Sequence, residues 1–150
     1  MNKLLKSLKT ISSILYIALL IISYSYLIES NPVFLNLDKS RAMHVEMFFY
    51  LGLGIFVFIS LIFFIFDKVL LSYQGKYKES NFFTSNSFLS WLVVFNISIN
   101  ILLCTGILFI SFLNSESYYN LLHYSFLLYI GPILIFLTIL WLPVLYFKKS

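Results

Sequence analysis

Apolar residues fill four long runs, at about 10–28, 47–66, 88–113 and 124–147, and short polar segments separate them. No run contains Asp, Glu, Lys or Arg. A helix needs about 20 such residues to cross a bilayer. Unpaired backbone is too costly in hydrocarbon for any other single-segment solution. The second run gives about 30 Å of helix, the thickness of the hydrocarbon core. The third is longer and is expected to tilt or to extend past the interface. The pattern therefore predicts an all-α fold: a four-helix, four-span integral membrane bundle that forms one polytopic domain over 1–150.

The basic residues between the runs alternate sides. Lys3, Lys6, Lys9, Lys68, Lys76, Lys78, Lys148 and Lys149 fall on one face of a bilayer, and only Lys39 and Arg41 on the other. By the positive-inside rule both termini are then cytoplasmic. Tyrosines agree: Tyr24, Tyr26, Tyr50, Tyr118, Tyr119 and Tyr124 mark an outer belt, and Tyr73, Tyr77 and Tyr146 an inner one. Trp91 and Trp141 lie a turn or two deeper. The first run also has the shape of a secretory signal, with Ser23-Tyr24-Ser25 as a small-x-small cleavage site. It continues through Ile28, however, which favours an uncleaved span. Asp67 to Leu71 is expected to continue span two along the interface, with Gly75 ending that helix. Asp38 or Ser40 is placed to cap a short helical lead-in to span two.

Composition reinforces the membrane assignment. At 61% hydrophobic and 11% charged, the chain lacks the polar residues that a soluble surface requires. Its formal charge of +4 comes from short lysine clusters beside the spans. Such clusters act as topology signals and anionic-lipid contacts, so nucleic acid is not an expected partner. The implied location is the cytoplasmic membrane of a bacterium, or the inner membrane of an organelle.

Candidate chemistry is sparse. Asn96, Asn100 and Cys104 follow at i, i+4 and i+8 and share one face of the third span. Asn in hydrocarbon requires a partner, which makes this face a helix–helix interface, within the bundle or with another membrane protein. Cys104 is the only cysteine, so no intrachain disulfide is possible. His44 and His123 precede spans two and four on the outer side. Were those helices neighbours, the imidazoles would reach a shared copper or haem. Met43 and Met47 flank His44 at helical spacing, a soft ligand set for Cu(I). Arg41 is suited to an anion or lipid phosphate, or to pairing with Asp38 or Glu46. Ser40 and His44 lack the acid and oxyanion turn of a hydrolase. Gly131-Pro132 is expected to kink span four, and Gly52 and Gly54 to allow close approach by a neighbour.

The chain has neither the paired cysteines of a disulfide-forming oxidase nor the intramembrane aspartates of a lipoprotein signal peptidase. In cadence, Leu128-Tyr129-Ile130-Gly131 through Lys148-Lys149 is similar to the last span of immunity proteins against pore-forming bacteriocins, which are small, basic, three- or four-span proteins. That likeness implies no residue roles. Polar span three beside so few catalytic groups points to a non-catalytic protein. It would act by lateral helix association with another integral membrane protein, as an accessory subunit or an immunity-type blocker. Metal or haem binding at the outer face is the alternative.

Overall fold

The computed structural model of the chain describes residues 3–29, 32–36, 39–76, 85–115 and 125–149. Four helices carry the fold: α1 Lys3–Leu27, α2 Val45–Lys76, α3 Asn86–Leu113 and α4 Leu127–Lys149. All four are long and apolar enough to cross a membrane. Between α1 and α2 the two-residue strands β1 (Val33–Phe34) and β2 (Ala42–Met43) pair antiparallel, Val33 opposite Met43 and Phe34 opposite Ala42.

This hairpin replaces the helical lead-in expected before span two. The Ser40 hydroxyl accepts from Asn36 Nδ2 at 2.7 Å instead of capping a helix, and Asp38 lies outside the described residues. Asn36 organises the turn, because its Oδ1 also accepts from the Arg41 N–H at 3.0 Å and its carbonyl from the Lys39 N–H at 3.1 Å. Lys39 takes the left-handed conformation, φ 53°. Both helices beside the hairpin outrun their apolar stretches. α1 begins at Lys3, and α2 continues unbroken through Gly75 to Lys76.

α3 is the central helix and lies against both α1 and α4, while α2 packs mainly on α1. Ser85 caps the α3 N-terminus by accepting from the Phe88 N–H, and Asn114 caps its C-terminus. α2 touches its neighbours at two levels. Near the hairpin, Tyr24 meets Phe49, Tyr16 stacks on Phe56 at 4.8 Å, and the Tyr16 hydroxyl donates to the Gly52 carbonyl at 2.8 Å. Near the lysine-rich end, Phe63 packs with Phe88 and Leu92, and Lys9 Nζ reaches Asp67 Oδ2 at 2.8 Å.

α4 remains helical through Pro132 and Pro143. Neither proline has an N–H to donate to the carbonyl four residues back. Beside Pro143, the Trp91 indole N–H donates to the Thr138 carbonyl at 2.6 Å and links α3 to α4. Trp91 is itself held in a stack with Phe88 and Phe95.

Gly52 and Gly54 on α2 differ from Gly131 in what surrounds them. A Cβ on Gly131 would lie 2.7 Å from the Leu102 Cα, which is backbone and cannot move aside. On Gly54 it would meet nothing within 4 Å, and on Gly52 it would press on the flexible Leu20 side chain at 2.8 Å. We predict that Gly131→Ala lowers unfolding stability in detergent by about 1–3 kcal/mol, the range for overpacking. Gly54→Ala is expected to be neutral or slightly stabilising, because alanine is the better helix former. Equal thermal shifts for the two variants would contradict the close α3–α4 approach.

Candidate functional site

The polar residues of α3 converge on α1, and their arrangement follows from helical periodicity. On α1 the buried positions Ser12, Tyr16, Leu20, Ser23 and Leu27 recur every three or four residues and form one face. Opposite them, Asn96, Asn100 and Cys104 are buried on α3. The Asn100 amide donates to Ser12 Oγ at 3.0 Å and to Ser13 Oγ at 3.2 Å, and lies 3.5 Å from Asn96 Oδ1. Both serines turn their own protons to the Lys9 carbonyl, at 2.8 and 3.1 Å, which leaves oxygen lone pairs to receive the amide. Three helical turns on, Ser111 Oγ lies 2.8 Å from Ser23 Oγ. Each step, Ser12 to Ser23 and Asn100 to Ser111, is eleven residues, close to three whole turns. The two helices therefore run parallel with their polar positions in step.

This seam is saturated. No buried side-chain nitrogen or oxygen among the described residues lacks a hydrogen-bond partner. Amide and hydroxyl groups so engaged position helices; they do not supply a base or a nucleophile. Cys104 lies one turn farther along the same face, in the cluster that contains Tyr16, Leu20 and Ile107. The asparagine face predicted from spacing is thus turned onto α1 of the same chain.

At the hairpin end a second polar device appears, which spacing did not reveal. The Asn114 side chain pairs with both backbone groups of Phe34: Oδ1 accepts from its N–H at 2.7 Å and Nδ2 donates to its carbonyl at 2.9 Å. A side-chain amide here takes the place of a third strand along β1. Asn114 also bonds back to the Ile110 carbonyl, at 2.8 Å through Nδ2 and 3.2 Å through its own N–H. The hairpin is thereby fixed to the end of α3.

The candidates at and near the hairpin are more dispersed. α2 begins at Val45, so Met43 lies in β2 and the helical spacing that would join it to Met47 does not apply. Met43 turns inward against the core. His44 is exposed and lines a shallow groove with Glu46, Met47, Tyr50 and Leu51. Among the described residues no group of three His, Cys, Asp or Glu side chains converges as a metal site. His123 lies outside the described residues. The helices that follow the two histidines have different principal neighbours, α1 for α2 and α3 for α4. Arg41 gives its backbone to the hairpin and leaves its side chain exposed, with no ion pair to Glu46.

If the Asn100 amide holds α1 to α3, Asn100→Leu should destabilise the protein in detergent by about 1 kcal/mol, within the 0.6–2 kcal/mol of interhelical hydrogen bonds. Ser12→Ala combined with Ser13→Ala should then cost little more in the Asn100→Leu background, since the contact is already gone. Strictly additive losses would show that these groups do not interact.

No protein-family model matches the chain, and neither does any curated protein or solved structure.

Proposed function

We propose that the chain is a small non-catalytic, multi-pass membrane protein that acts by lateral helix association with another integral membrane protein. Its role is that of an accessory subunit of a membrane complex or of an immunity-type blocker. Both termini lie on the cytoplasmic side, in a bacterial cytoplasmic membrane. The observation that carries this reading is the uneven burial of the spans. In the most apolar stretch of α3, 39% of residues are buried, against 6% in α4 and 17% in α2. The polar face of α3 is occupied by α1, so association falls to the outward faces of α4 and α2. Exposed Gly54 adds a place where a second helix can approach α2 without meeting a side chain.

The sidedness is supported by the distribution of charge. Lys3, Lys6, Lys9, Lys68, Lys76, Lys148 and Lys149 belong to one end of the helices, and Lys39 and Arg41 to the hairpin at the other. The immunity-type variant rests on the cadence of the last span alone, with no relative behind it.

A single-cysteine set tests both parts, since Cys104→Ser removes the only native thiol. In that background Ser40→Cys should react with an impermeant maleimide on intact cells, and Ser72→Cys only after permeabilisation; the reverse would invert the topology. Phe136→Cys and Leu140→Cys on α4 should crosslink in native membranes to one discrete membrane protein. Retention of the uncrosslinked chain at both positions, with the same at Phe58→Cys on α2, would remove the basis for lateral association.

A second reading, copper or haem binding, is favoured by the groove that brings His44 and Met47 together. Cu(I) titration should then show one site that His44→Ala weakens by at least about tenfold, given one lost ligand among few. No uptake by the purified chain would dispose of it.

A further inference from the structure

The lysine-rich end of α1 and α2 has a surface suited neither to water nor to hydrocarbon. α2 contains 32 residues, about 48 Å of helix, whereas a hydrocarbon core of about 30 Å takes roughly the first twenty. From Asp67 onward the helix continues past its apolar stretch, yet Val69, Leu71 and Tyr73 remain exposed there. The first turns of α1 are fastened alongside by the Lys9–Asp67 ion pair, and they expose Leu4 and Leu8.

Among the described residues, charge at this end is one-sided. Asp67 is the only carboxylate that the described residues place here, and Lys9 occupies it. Lys3, Lys6 and Lys68 have no carboxylate partner among the described residues. Lys68 Nζ lies 5.5 Å from the centre of the Phe64 ring, one turn back toward the apolar stretch. Its ammonium is thus kept at the border of that stretch. Exposed aliphatic groups beside unneutralised cations match the boundary where lipid phosphates meet acyl chains.

We infer that the paired ends of α1 and α2 bind an anionic phospholipid. Lys6 and Lys68 take the headgroup phosphate, and the exposed Leu8 and Phe64, on the side of the apolar stretch, lie against the glycerol and upper acyl region. The inference requires only that the chain span a bilayer, and it is independent of any protein partner.

Native mass spectrometry of the full purified chain in neutral detergent tests it, with dioleoyl phosphatidylglycerol and dioleoyl phosphatidylcholine as probes. Phosphatidylglycerol should be retained in preference to phosphatidylcholine, and Lys6→Gln with Lys68→Gln should cut that retention about 25-fold, roughly fivefold per lysine. Lys6→Arg with Lys68→Arg should keep it, which separates lost charge from lost fold. Lys39→Gln with Arg41→Gln at the hairpin should have no effect, and inorganic phosphate should not compete. Equal retention of the two lipids, an equal loss in the arginine or hairpin variants, or displacement by inorganic phosphate would each overturn the proposal. Because the isolated chain is used, failure here leaves lateral association untouched, and the converse holds.

Discussion

The hydrogen bonds between Asn100 and the serine pair Ser12-Ser13 are the constraint on which the rest of the packing depends. Lipid tails are as apolar as leucine, so helices in a bilayer gain little by burying apolar surface against each other. What distinguishes one helix pairing from another is close packing and polar satisfaction. An amide at the middle of α3 has to find acceptors, and Ser12 and Ser13 of α1 supply them. Once α1 is registered on α3, Ser23 falls opposite Ser111, and Tyr16 is positioned to reach the Gly52 carbonyl of α2. Polar pairs thus set the order of the helices, and aromatic stacks fill the space that remains.

The ends of the bundle use different chemistry from its middle. At the lysine-rich end an ion pair joins α1 to α2, with about a quarter to a third of each side chain exposed. Exposed pairs of that sort contribute about 0–1 kcal/mol, so this one orients more than it stabilises. At the opposite end the link is a neutral amide on backbone, which salt does not screen. α4 depends on neither: it is held by the close Gly131–Leu102 approach and by the Trp91 indole on the Thr138 carbonyl.

Much of this was legible in the chain because apolar length and charge are local properties. The four runs mark the four helices, and Asn96, Asn100 and Cys104 share a face because a helix repeats every 3.6 residues. Ser12 and Ser13 passed unnoticed because serine in a span is common and its hydroxyl is usually spent on its own helix. That is half true here, and the other half is what receives Asn100. Asn114 was invisible for a different reason. It ends an apolar run, where asparagine ordinarily signals a turn, and its partner is 80 residues earlier in a strand of two residues. The hairpin before α2 is hidden in the sequence because Asp38 and Ser40 have capping chemistry, while Asn36 uses Ser40 and the Arg41 N–H for a tight turn. Helix order was not readable, since outward apolar faces look alike in sequence.

The sequence distance of these contacts imposes a schedule on the chain. Ser12 precedes Asn100 by 88 residues, and synthesis at about 5–20 residues per second separates them by roughly 4–18 seconds. During that interval the serine face of α1 is without its partners on α3, and Phe34 is without Asn114. The back-bonded hydroxyls of Ser12 and Ser13 make the wait tolerable, because each proton is already satisfied by the Lys9 carbonyl. α1 is thus a complete helix that lacks only a donor, and α3 brings that donor when it arrives.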